Sequence, residues 1–142
     1  MDYENVYETT IVKIKRKMKY KFIAFDLDGT LVNTFPYILS SYRYALTTIY
    51  GKAIESEDSI KSKIGKPIAE FFKDYPEKDR QRLYELYSTN NDAVQSKGVP
   101  FFSGVKEMLK TLKENVKVGL VTSKRRKPLE EWLKKENLQN FF

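Results

Sequence analysis

Phe22-Ile23-Ala24-Phe25 is a short unbroken apolar run that stops abruptly at Asp26. A run without polar alternation is the pattern of a parallel strand buried on both faces. The period then changes. Ile38, Tyr42, Ala45 and Ile49 recur at helical spacing between Thr34, suited to an N-cap, and Gly51, suited to a helix C-terminus, so a helix is predicted over residues 34–50. Residues 56–64 and 67–72 read as shorter helices joined through Gly65, and residues 76–95 as a long one carrying Leu83, Leu86 and Tyr87 inward. After Gly98 and Pro100, Val105, Met108, Leu109 and Leu112 line one helix face and residues 116–121 (VKVGLV) read as a second parallel strand. Leu129, Trp132 and Leu133 supply the inner face of a final helix, opened by Lys124-Arg125-Arg126-Lys127 and running to about residue 137. The order strand, helical block, helix, strand predicts an α/β fold. Its core is split between residues 19–33 and 98–142, residues 34–97 form an all-helical insertion, and residues 1–18 are a basic extension.

Composition narrows the chemistry. The 142 residues include no cysteine and no histidine. That excludes disulfides, thiolate metal sites, Ser-His-Asp triads, His-ligated zinc and imidazole acid/base work, and leaves carboxylates, hydroxyls and lysines as reacting groups. The lack of cysteine fits a reducing cytosol. No apolar run approaches the roughly 20 residues of a membrane span, and the charged start has no secretion signal, so the chain reads as soluble and cytoplasmic with no membrane partner.

A net charge of +7 suits nucleic acid or a small phosphorylated molecule equally. The densest basic run, residues 13–21 (KIKRKMKYK), has no stacking aromatics or reading helix beside it. A solvated terminus is its plainer explanation, and nucleic acid is disfavoured as a partner. Met18, four residues before the first strand, is an alternative start of translation.

Asp26-Leu27-Asp28-Gly29-Thr30-Leu31 sits at the carboxyl end of the first strand, where open α/β sheets place their ligand crevice. Residues two apart on an extended chain share a side, so Asp26 and Asp28 can converge on one reacting group while Leu27 points into the core. Gly29 permits the sharp turn behind them. Two close carboxylates repel unless they share a proton or hold a divalent cation, and magnesium suits oxygen ligands beside a phosphate. An Asp- and Gly-rich turn of no catalytic meaning is the alternative for two lone aspartates. Five fixed residue types, each at a few per cent, coincide by chance at only roughly one site in a million.

This string, with Val32-Asn33-Thr34 after it, resembles the first motif of the haloacid dehalogenase-like hydrolases, and the helical block is similar to that family's small inserted cap. Phe102-Ser103-Gly104-Val105 with Met108 and Leu109 is similar to the family's return from cap to core, and Val118-Gly119-Leu120-Val121-Thr122-Ser123-Lys124 to its second motif. The resemblance covers residues 19–142 and is strongest to the phosphoglycolate-phosphatase and pyrophosphatase-like branch. It implies a Rossmann-like parallel sheet and magnesium-dependent hydrolysis of a small phosphomonoester. Asp26 would be the nucleophile that forms an aspartyl-phosphate, and Asp28 the acid/base. Gly29, Thr122 and Ser123 would bind the phosphoryl group, and Asp26 and Asp28, the latter partly through its carbonyl, would hold Mg2+. Lys66, after Gly65, would meet an anionic group of the substrate. For the hydroxyls the alternative is helix capping, for Lys66 an ordinary turn, and for the Lys124–Lys127 cluster a solvated helix start.

The family's later lysine and further acidic metal ligands have no counterpart after Ser123, where Lys124 or Lys127 is a poor substitute, so a chain truncated at its C-terminus is expected. Two strands would then stand where the family has about five, with an unpaired edge that invites self-association or a complementary chain. The rivals to a phosphatase are a catalytically incomplete remnant or half of a split enzyme, and a basic nucleic-acid-binding module.

Overall fold

The computed structural model describes residues 19–142. The extension at 1–18, most of the basic run and the start at Met18 lie outside the described residues. The chain forms strand β1 (Phe22–Phe25), helices α1 (Phe35–Tyr50), α2 (Glu57–Lys61), α3 (Glu77–Gln95) and α4 (Val105–Lys113), strand β2 (Lys117–Leu120) and helix α5 (Arg126–Lys135), with a 3-10 turn at Ile68–Glu70 between α2 and α3.

β1 and β2 pair in parallel, Phe22 opposite Lys117 and Phe25 opposite Leu120. Ile23, Phe25, Val118 and Leu120 share the face turned to the core, which Leu27, Leu31, Val32, Leu109 and Trp132 fill. The opposite face is open: Phe22 is 58% exposed and Val121 is 70% exposed. The expectation of a strand buried on both faces is thereby corrected. The described helices α4 and α5 pack with the Ile23 side only, and no described element covers the Phe22 side. The Phe22 ring lies over Gly119, where an added Cβ would come within 2.7 Å of Cζ.

The helical layer has its own core. α1 packs on α3, burying Ile38, Tyr42, Ala45, Leu46 and Leu83 together with Ile60, Phe71 and Phe72. Tyr42 stacks on Phe72 at 5.0 Å between ring centroids. The layer joins the sheet through two chain segments that run side by side, since Asn33 N–H donates to Pro100 O at 2.9 Å and Phe102 N–H to Leu31 O at 3.1 Å, around an antiparallel bridge of Val32 and Phe101.

Several boundaries shift. Ser56 caps α2 through its Oγ, which accepts the Ser59 N–H, but α2 ends at Lys61 rather than 64. Pro67 and Gly65 leave room for only the 3-10 turn where a helix over 67–72 was expected. Thr34 occupies the N-cap position of α1 without a side-chain cap bond, because its backbone is already helical, whereas a capping residue is extended. α5 begins at Arg126, so Lys124 precedes the helix.

Candidate active site

The chain after β1 wraps around one carbonyl. Leu27 O accepts the N–H groups of Thr30, Leu31 and Val32 at 3.0–3.2 Å, and Gly29 N–H donates to Val32 O at 2.9 Å. Such a coil requires a left-handed residue, and Gly29 supplies it at φ 78°. The turn sinks Leu27, Leu31 and Val32 completely and leaves Asp26 exposed and Asp28 half-buried. Because β1 and β2 are parallel and in register to Phe25 and Leu120, the Asp26–Asp28 segment and the Thr122–Lys124 segment leave the sheet side by side at its carboxyl end.

Thr122 Oγ1 accepts the Lys124 N–H at 3.2 Å, closing a local turn. That turn throws the Lys124 side chain across the site, where Nζ donates to Asp28 Oδ1 at 3.2 Å and to Gln95 Oε1 of α3 at 2.6 Å. Next to it Arg125 pairs with Asp92 of α3. The sheet end and the helical layer are therefore tied by charge as well as by chain.

Between them lies a cleft with about 80 Å³ of free space. Asp28, Ser123, Lys124 and Arg125 line it from the sheet side, and Gly65, Lys66, Ile68 and Tyr87 from the helical side. Of the residues singled out in the sequence, Asp28, Ser123 and Lys66 thus meet around one space, whereas Asp26, Gly29 and Thr122 do not line it. Lys127 is exposed on α5 and takes no part, but Lys124, read as a poor substitute for a site lysine, is the cation at Asp28. Burial pushes the Tyr87 phenol up, the carboxylates of Asp28 and Asp92 push it further and Arg125 opposes them, so Tyr87 faces the cleft as a neutral hydroxyl.

Sequence reasoning missed Gln95, Asp92 and Tyr87 as neighbours of the site. Helical spacing marked Tyr87 as inward, and it carried no signal that inward here means toward Asp28. Among the described residues no three Asp, Glu, His or Cys side chains gather as a metal-holding group, and no helix is long and apolar enough to cross a membrane.

Residues 23–142 match the family model of the haloacid dehalogenase-like hydrolases, and the chain belongs to that family. Pyrophosphatase PpaX of Halalkalibacterium halodurans is 35% identical over 126 residues, 88% of this chain and 58% of the relative. A haloacid dehalogenase-like family hydrolase of Streptococcus pneumoniae superposes with a TM-score of 0.77 at 21% identity, covering 86% of this chain and 58% of that one. A protein of Haemophilus somnus, described as a predicted phosphoglycolate phosphatase, gives 0.75 at 24%, covering 88% and 61%. At these identities the two structures speak for the fold alone. The chain spans somewhat under three-fifths of the length of the PpaX relative.

Proposed function

We propose that this chain carries the nucleophile-bearing part of a phosphatase site that hydrolyses small phosphomonoesters, with residues 19–33 and 98–142 as its core and residues 34–97 as a cap over the substrate. The observation that carries this reading is the placement of the Asp26-Leu27-Asp28 turn beside the Thr122–Lys124 turn at the carboxyl end of a parallel strand pair. The pyrophosphatase name of the sequence relative supports hydrolytic phosphoryl transfer from a small phosphorylated molecule.

In this reading an Asp26 carboxylate oxygen bonds to phosphorus as the bond from phosphorus to the leaving oxygen breaks, and Asp28 gives that oxygen its proton. Asp28 then takes a proton from water, whose oxygen displaces the Asp26 carboxylate from phosphorus and releases inorganic phosphate. Ser123, with Gly29 and Thr122 on the neighbouring backbone, would hold the phosphoryl oxygens, Lys124 would offset their charge, and Lys66 would face the remainder of the substrate. One carboxylate and one carbonyl form a small hard-oxygen donor set of the kind magnesium takes when it keeps several waters and draws further ligands from phosphate. Asp26 and the Asp28 carbonyl would hold it, because Lys124 already engages the Asp28 carboxylate. When bound, it would neutralise developing charge on the phosphoryl group. A cytoplasmic setting fits a chain without cysteine.

Replacing Asp26 by Asn tests the assignment through phosphate release from phosphoglycolate and from pyrophosphate. A folded variant with an undiminished rate overturns it, and a loss of at least a thousandfold with an unchanged unfolding transition is the expected result.

A further inference from the structure

We propose that the half-buried Glu55–Lys63 pair positions the cleft wall formed by residues 64–71, and with it Lys66, so that these two residues set how the site meets the part of the substrate beyond the transferred phosphoryl group. The proposal rests on the cleft being the substrate site and adds what governs its selectivity.

Glu55 and Lys63 lie in the helical layer, 2.7 Å apart, with side chains only 17% and 11% exposed. Glu55 Oε1 accepts Lys63 Nζ, the Tyr42 hydroxyl at 2.8 Å and the Tyr75 hydroxyl, while Oε2 accepts Ser59 Oγ at 2.9 Å. The network then reaches Phe71, whose carbonyl accepts Lys63 Nζ at 3.1 Å and lies 3.0 Å from the Tyr42 hydroxyl oxygen. One cluster therefore grips the chain at residue 63 and again at residue 71.

Between those grips the backbone bonds are short local turns, Ile64 N–H to Lys61 O, Lys66 N–H to Lys63 O, Glu70 N–H to Pro67 O and Phe71 N–H to Ile68 O, while Ile64 and Ile68 pack on the helical core. Gly65 sits there at φ 84°. This is the stretch whose Ile64, Gly65, Lys66 and Ile68 face Asp28 and Ser123 across the cleft. A segment of one-turn bonds depends strongly on how its ends are held, and here the ion pair bonds to both of them while Phe71 also packs in the aromatic core. An apolar pair of equal volume would pack as well without the desolvation cost of two charges. What the charged pair adds is direction, since a carboxylate with four donors and an ammonium with three acceptors fit one arrangement only.

The test uses the 142-residue chain in two variants, Tyr42→Phe and the double Glu55→Gln/Lys63→Met. Hydrogen exchange of residues 64–70 is compared with that of α3, and binding of inorganic phosphate with that of pyrophosphate, which carries a second phosphoryl group. Exchange in 64–70 should accelerate at least tenfold while α3 stays within twofold. Pyrophosphate should weaken at least fivefold while phosphate stays within twofold. Unchanged exchange in 64–70, equal acceleration of α3, or equal weakening of the two anions each overturns the proposal. Should the double variant fail to fold, Tyr42→Phe decides alone. If the unmodified chain binds neither anion, the substrate reading of the cleft falls and the exchange comparison still decides whether the pair positions the wall.

Discussion

Lys124 Nζ lies 3.2 Å from Asp28 Oδ1, with the two side chains 11% and 19% exposed. Removing the ammonium would leave a half-buried carboxylate without its counter-charge, which costs more than the pair is worth when intact. Lys124→Met should destabilise the chain by about 1–3 kcal/mol in urea unfolding, well beyond the effect of Lys127→Met on the exposed face of α5. The double variant Asp28→Asn/Lys124→Met should regain part of that stability. Equal unfolding midpoints for the two lysine variants would remove the pair from any structural role.

Glu55 gives a pH dependence of fixed sign. Burial alone would raise its carboxyl, but the bonds from Lys63, Tyr75, Tyr42 and Ser59 outweigh burial and hold it below the ordinary glutamate value. The unfolded chain then binds the proton more tightly. The carboxylate contributes stability above about pH 4.3, the unfolded value, and loses it as pH falls through the lower folded value. Below about pH 4 the melting temperature should fall more steeply for the native chain than for Glu55→Gln. Parallel slopes would show that the Glu55 network adds nothing to folding.

Gly29 has open space where a side chain would go, so substituting it isolates the cost of its backbone angle. At φ 78°, Gly29→Ala should cost about 1–2 kcal/mol, and Gly29→Asn less, since asparagine tolerates that region. Thermal unfolding of the two variants orders them. The reverse order would mean that the turn relaxes out of the left-handed region.

At Gly119 the outcome runs the other way. An added Cβ meets only the tip of the Phe22 ring, a flexible side chain that is more than half exposed. The ring can swing into solvent, and Gly119→Ala should change stability by less than about 0.5 kcal/mol. A loss above about 2 kcal/mol, abolished when Phe22→Ala is added, would show that the ring is held in place.

How much of this was legible beforehand differs from element to element. Repeating apolar positions and Gly51 placed α1 within a residue, and the helix read from residue 56 starts one residue later behind its Ser56 cap, because these signals are local. The open side of β1 was not legible. An apolar tetrapeptide says that a strand wants cover on both sides, while whether a layer lies there is decided by distant chain. The acidic turn and the Thr122–Lys124 turn could be read as motifs, yet the bond that joins them links residues 96 positions apart, and nothing in either segment names its partner. For the same reason Lys124 read as a poor substitute for a site lysine, and Tyr87 as core alone.

The paired segments at Asn33–Pro100 and Leu31–Phe102 place the entrance and exit of the helical layer at neighbouring points of the backbone. A chain that leaves and returns through one doorway can have much of what lies between exchanged for a longer or shorter stretch without moving the strand register on the other side. What such a graft would have to carry over is the pair Asp92 and Gln95 of α3, through which Arg125 and Lys124 reach the layer.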